Sequence, residues 1–163
     1  MMNSVKWVLG ICVGMAVMLS SCSKDSDGNI IATKMSATID GSGWSTISRV
    51  TVLTNGIFTI TGTTALSESM VITIRGDETG TYELSANLND LSGQCLCVYS
   101  TSLLPTADVF TSTEGVVTLT AVDTSAKTIS GTFSFTVYNL TKGTKSIENG
   151  VFNNLSYTER SGE

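Results

Sequence analysis

The sequence predicts an all-β fold, an antiparallel β-sandwich or flattened barrel of about nine strands. Three observations lead there: apolar and polar side chains alternate with a period of two, glycine-containing turn pairs separate the alternating runs, and no segment carries a helical apolar stripe.

The chain does not begin with that pattern. Lys6 is followed by a thirteen-residue apolar run, Trp7 to Leu19, and then by Ser20 and Ser21 before Cys22. A spanning helix needs roughly 20 apolar residues, and polar Ser23-Lys24-Asp25-Ser26-Asp27 follows at once, so residues 1–21 read as a processed signal peptide. Leu19-Ser20-Ser21-Cys22 resembles the bacterial lipobox, in which the cysteine thiol is acylated with chains such as palmitate and becomes the new N-terminus. Cys22 is therefore the expected lipidation site and the membrane the expected partner. Residues 22–33, polar and small with Gly28, read as a flexible tether. Residues 34–163 form the expected β-domain, and the 142 residues left after removal of residues 1–21 suit one domain better than two.

Within that domain Met35, Ala37 and Ile39 alternate with Ser36, Thr38 and Asp40, and Met70, Ile72 and Ile74 with Val71, Thr73 and Arg75. Val117, Leu119 and Ala121 repeat the pattern, and Ile129, Gly131, Phe133, Phe135 and Val137 face away from Thr128, Ser130, Thr132, Ser134 and Thr136. Gly131 marks an expected bend or bulge. Expected turns lie at Asp40-Gly41, Asn55-Gly56, Gly76-Asp77, Ser92-Gly93, Glu114-Gly115, Asp123-Thr124, Lys142-Gly143 and Asn149-Gly150. Asn55-Gly56 suits a type I′ hairpin, since both residues tolerate positive φ. Ser85 to Leu91 could hold one turn of helix.

Composition then excludes chemistry. The chain has no histidine, which removes the usual proton shuttle and the commonest metal ligand. Of nine basic residues Lys6 leaves with the signal peptide, so eight face fourteen acidic ones and the mature charge is −6, unsuited to nucleic acid. The carboxylates Asp77, Glu78, Glu83, Asp90, Asp108 and Asp123 sit mostly at turns, with nothing to pair two of them across a cleft. No catalytic residue, metal site or cofactor is expected.

Cys12 leaves with the signal peptide and Cys22 carries lipid, which leaves Cys95 and Cys97 as thiols. They share a strand face about 6.6 Å apart at Cα, near the upper limit for a disulfide. Buried free thiols are the first expectation, a strained disulfide the second and a metal pair the third. Asp25-Ser26-Asp27-Gly28-Asn29 lacks the closing glutamate of a calcium loop, Ser36 standing in its place. Lys142-Gly143-Thr144-Lys145-Ser146 lacks the leading glycine of a phosphate loop and reads as a polar hairpin, and Arg75-Gly76-Asp77 as a strand ending in a turn.

Asp40-Gly41-Ser42-Gly43-Trp44, Gly131-Thr132-Phe133-Ser134-Phe135 and Asn149-Gly150-Val151-Phe152 together resemble a family of small Bacteroidota lipoproteins built on a domain of unknown function. The resemblance spans most of the mature domain and implies an antiparallel fold with no assigned activity; Cys95-Leu96-Cys97 departs from it. Gly43-Trp44 and Arg160 also resemble, more weakly, the lipocalin pairing of an early tryptophan with a late arginine.

The sequence thus points to an exported, lipid-anchored cell-envelope lipoprotein with a non-catalytic β-domain, an interaction or structural module. The alternative is a surface module binding carbohydrate or a small ligand, as a lipocalin-like barrel or glycan-binding sandwich, with Trp44 as the candidate ligand-binding residue and a glycan or an envelope protein as partner. The expected location is the outer membrane, and the acidic stretch Ser23 to Asp27 resembles a surface-export signal.

Overall fold

The computed structural model describes residues 34–84 and 94–161. The expectations for the signal peptide, Cys22, the tether, the Ser92-Gly93 turn and the helical turn at Ser85 to Leu91 lie outside the described residues.

Eleven strands are present among the described residues, against the nine or so expected. They are β1 (Met35–Ile39), β2 (Ser42–Ser45), β3 (Ser48–Thr54), β4 (Ile57–Thr63), β5 (Ser69–Arg75), β6 (Gly80–Glu83), β7 (Cys95–Ser100), β8 (Val109–Asp123), β9 (Thr128–Asn139), β10 (Gly143–Ser156) and β11 (Thr158–Arg160). One sheet holds them in the order β11-β3-β4-β5-β7-β8-β9-β10-β1-β2, with β6 pairing beside β7 on β8. All pairs are antiparallel except β11 with β3, a departure that arises because β11 prolongs β10 and runs in the same sense as β3.

The sheet curls into a flattened half-barrel. Its two ends are drawn together by the chain itself. At Thr46 and Ile47 the chain passes from β2 to β3, and the Thr46 N–H donates to the Met35 carbonyl at 3.1 Å while the Ile47 N–H donates to the Thr63 carbonyl at 2.9 Å. Tyr157, between β10 and β11, donates its N–H to the Lys127 carbonyl at 2.9 Å. A seam remains between the start of β3 and the end of β10, beside Lys34 just ahead of β1.

Alternation places the concave face as expected. Met35, Ala37 and Ile39, Met70, Ile72 and Ile74, and Ile129, Phe133, Phe135 and Val137 all join one buried cluster with Trp44, Phe58, Ile60 and Phe152. Backbone glycines make room for the rings. Gly131 lies opposite Phe152 and Gly150 opposite Phe133, and a Cβ on Gly131 would sit 2.4 Å from the Thr118 carbonyl oxygen and 2.6 Å from the Phe152 ring. Phe133 in turn stacks on Phe152 at 6.2 Å between centroids.

The hairpins at Asp40-Gly41 and Asn55-Gly56 form with positive φ at both residues, 48° and 79°, then 51° and 74°. Two expected turns are instead bulges inside long strands. Glu114-Gly115 follows a register shift between Ser112 and Glu114 in β8, and Asn149-Gly150 lies in a shift between Ile147 and Gly150 in β10. Both dipeptides allow the local kink a turn would need, but the partner strand β9 continues past each one, so the ladder resumes. A further shift between Leu119 and Ala121, opposite Gly131 and Ser130, inverts the alternation: Ala121 is exposed and Val122 packs on the core instead.

Candidate functional site

Strand register brings four connections to one end of the half-barrel: the β1–β2 turn at 40–41, the β4–β5 loop at 64–68, the β7–β8 loop at 101–108 and the β9–β10 turn at 140–142. Among the described residues, six of the nine exposed large hydrophobics stand there, namely Leu66, Leu103, Leu104, Val109, Tyr138 and Leu140. Leu66 and Leu140 are 81 % and 86 % exposed, so these two side chains are free loop tips, whereas Val109 and Tyr138 stand on the strand ends. Asn139 shapes one of those tips: its Oδ1 accepts from the N–H groups of Thr141 and Lys142, which makes Lys142-Gly143 the polar hairpin turn its sequence suggests.

Beneath the tips lies a cleft of about 330 Å³ lined by Ile39, Asp40, Trp44, Glu68, Tyr99 and Lys145 among others. The β1–β2 turn supplies Asp40, whose carboxylate accepts from Lys145 Nζ at 2.7 Å and from the Ser146 N–H at 2.9 Å. The Lys145 bond first, and the Ser146 bond after it, hold the Asp40 carboxyl below its ordinary range. Lys145 Nζ also stands 5.6 Å from the centroid of the Phe110 ring. Across the cleft the Tyr99 hydroxyl donates to Glu68 Oε1 at 2.5 Å. Burial, and then that bond, push the Tyr99 phenol upward, so it stays protonated and donating. Thr64 fixes the loop bearing Glu68, its Oγ1 accepting from the N–H groups of Leu66 and Glu68, each at 3.2 Å. The cleft therefore holds two carboxylates, one ammonium and one phenol, joined in the pairs Asp40–Lys145 and Glu68–Tyr99.

Trp44 lines this cleft, yet it is 3 % exposed and its indole Nε1 has no hydrogen-bond partner. Burial of the ring matches the packing expected of a large aromatic; the missing partner does not, because a buried indole N–H ordinarily finds one. The far edge of the ring reaches Gly62, where a Cβ would lie 3.1 Å from Trp44 Cη2. Arg160 is exposed on β11 opposite Thr54, whereas Gly62 faces Arg49, five residues back along β3. That offset, on the order of 16 Å of strand, leaves the lipocalin-type pairing of Trp44 with Arg160 unmade.

Cys95 and Cys97 are free thiols on the buried face of β7. Burial pushes Cys95 up to about 11 and Cys97 further in the same direction. Cys95 Sγ donates weakly to the Gly115 carbonyl at 3.8 Å. Among the described residues no cluster of three or more metal-ligating side chains forms.

Of the carboxylates singled out from sequence, Asp108 is paired with Lys142 at 3.4 Å and Asp123 caps its turn by accepting from the Ser125 and Ala126 N–H groups. Glu83 joins Glu114 and Glu148 along an outer groove across β8, β9 and β10. Asp90 lies outside the described residues. Sequence reasoning named Trp44 as a ligand-binding candidate, met Asp40 only as part of a turn pair and Lys145 only within a polar hairpin, and did not find Glu68 or Tyr99, which are 31 positions apart and carry no motif.

No curated protein and no solved structure matches the chain. Residues 31–156 match the family described as "Domain of unknown function (DUF6252)". That span covers all of β1 to β10, including every residue of the cleft, and the chain belongs to this family.

Proposed function

We propose that the chain is an exported envelope lipoprotein, anchored through lipid on Cys22, whose β-domain is a non-catalytic interaction module that meets another envelope protein with its loop end. The observation that carries the reading is the gathering of Leu66, Leu103, Leu104 and Leu140 on the loops of one end, with Val109 and Tyr138 exposed on the adjoining strand ends, above a filled core. Leu19-Ser20-Ser21-Cys22 supplies the address and Ser23 to Asp27 the acidic stretch expected of outer-surface display.

A photo-crosslinking residue at Leu104 in living cells tests the interaction, with the same probe at Thr132, on the exposed side of β9, as comparison. A discrete protein adduct from Leu104 and none from Thr132 is expected; equal labelling from both sites, or none from Leu104, would defeat the reading. Fractionation of Cys22→Ala tests the anchor, which predicts loss of incorporated fatty acid and release from the membrane fraction. Protease added to intact cells tests display, with removal of the domain expected and protection pointing to the periplasmic side.

A second reading, recognition of a glycan or another small polar ligand, is favoured by the cleft holding Asp40, Glu68, Tyr99 and Lys145. Stacking of a sugar on Trp44 is not part of it, since the ring is covered.

A further inference from the structure

The seam of the half-barrel holds a second cleft, of about 340 Å³, lined by Lys34, Ile47, Ser48, Arg49, Leu155 and Ser156. It carries two cations and no carboxylate, in a domain whose charge is negative and whose outer groove and loop-end cleft both carry acids. The ion pairs among the described residues are Lys127 with Glu159, Lys142 with Asp108 and Lys145 with Asp40, so neither Lys34 nor Arg49 has a carboxylate partner. Among the described residues Lys34 Nζ donates to the Asn154 carbonyl, at 3.5 Å.

Arg49 is the less expected of the two. It is partly buried and stands on the same face of β3 as buried Thr51, where a guanidinium loses water without gaining an anion. Its backbone adds to the case. Thr54 and Ile57 flank the two-residue Asn55-Gly56 turn and so exchange hydrogen bonds, and regular alternation back along β3 turns the N–H groups of Arg49 and Thr51 away from β4, toward the seam. Among the described residues no strand pairs that edge of β3 before Val52, where β11 begins to pair. On the facing wall β1 pairs β10 up to Phe152 and leaves Ser156 at the seam.

We infer that this seam cleft is a binding site for a phosphate oxyanion, held by the Arg49 guanidinium and Lys34 ammonium with help from the Arg49 N–H and the Ser48 and Ser156 hydroxyls. A guanidinium beside an ammonium and a free strand-edge N–H is the donor set that a tetrahedral oxyanion satisfies, and Arg favours it by presenting two parallel donors. Two sources carry that chemistry, free phosphate and the phosphodiester headgroup of an anionic phospholipid. Ile47, which lines the cleft beside the cations and is 70 % exposed, suits the second, which presents apolar surface next to its charge. The site stands apart from the interaction reading above and neither depends on the other.

The test is titration of the full chain, at constant ionic strength set by chloride, with inorganic phosphate and separately with glycerophosphoglycerol, the headgroup of phosphatidylglycerol freed of its acyl chains. Saturable amide shifts at Ser48, Arg49 and Ser156 are expected. Arg49→Gln and Lys34→Gln should each weaken binding about tenfold and the double variant abolish it, while Lys142→Gln, at the loop end, leaves it unchanged. Trp44 emission reports that each variant is folded. Tighter binding of glycerophosphoglycerol assigns the site to a lipid headgroup, and tighter binding of inorganic phosphate assigns it to the free ion. Shifts that do not saturate, or that persist in the folded double variant, overturn the site.

Discussion

Thr46 holds the carbonyl of Met35 with two hydrogen bonds, one from its backbone N–H and one from its Oγ1, both at 3.1 Å. Met35 opens β1 and Thr46 closes the β2 side of the sheet, so this double contact ties one edge of the half-barrel at the point where the chain crosses to β3. The side chain is buried, and its methyl group lies over Gly62, at 2.6 Å from where a Cβ would be. Thr46→Val keeps the shape and the N–H bond but leaves the Met35 carbonyl one donor short. The expected loss is about 1 kcal/mol, read as a lower midpoint in chemical denaturation with an unchanged slope. A midpoint equal to wild type would show that the hydroxyl does not tie the edge.

Gly131→Ala tests the ring packing of the core. The new methyl group would meet the Thr118 carbonyl oxygen at 2.4 Å, and backbone cannot step aside as a side-chain tip can. A loss of about 2–3 kcal/mol is expected from overpacking. Gly43→Ala is the comparison, because nothing lies within 4 Å of its Cβ position, and it should be neutral within about 0.5 kcal/mol. Similar losses in both variants would locate the cost in glycine's backbone freedom and not in the Phe152 contact.

Native Cys95 and Cys97 should resist thiol reagents at pH 8, and both should react under denaturing, non-reducing conditions, since they are buried and unpaired. Labelling that requires prior reduction would show a disulfide. Burial also raises the folded pKa of Cys95 from 9.0 to about 11, so between those values the unfolded chain releases a proton that the native chain keeps. Stability should accordingly be independent of Cys95 below pH 9 and fall as pH rises toward 11, and Cys95→Ala should flatten that decline.

For Asp40 the sign is opposite. Its carboxyl is held below the ordinary value of 3.8, so the ion pair with Lys145 contributes above that pH and is lost as pH falls through the lowered folded value. The pair is partly solvent-exposed and screened, so Asp40→Asn should cost no more than about 1 kcal/mol at pH 7 and less in high salt. A loss several times larger would mean that the turn itself depends on the charge.

Trp44 is the only tryptophan among the described residues, and its emission should be blue-shifted, poorly quenched by acrylamide and unmoved by saccharides. Red-shifted emission that responds to a sugar would place the ring in a binding site and move glycan recognition to first place.

Much of the fold was legible in the residues themselves because period-two alternation and turn chemistry are local properties. Met35-Ala37-Ile39, Met70-Ile72-Ile74 and Ile129 through Val137 faced inward as their pattern required, and Asp40-Gly41 and Asn55-Gly56 turned where positive φ was affordable. Glu114-Gly115 and Asn149-Gly150 show the limit: a dipeptide permits either a turn or a bulge, and the continuing partner strand β9 decides between them.

By itself, then, the sequence determined the all-β class, the inward faces of the main strands and the hairpins at Asn55-Gly56 and Asp40-Gly41, since each depends on neighbours one to four residues apart. Tertiary structure alone decided the rest. The parallel pairing of β11 with β3, the seam that brings Arg49 and Lys34 to one cleft, and the meeting of Asp40, Glu68, Tyr99 and Lys145 all join residues far apart in the chain. Such meetings depend on strand order and on the curl of the sheet, which sum over every pairing at once, and no local pattern carries that sum.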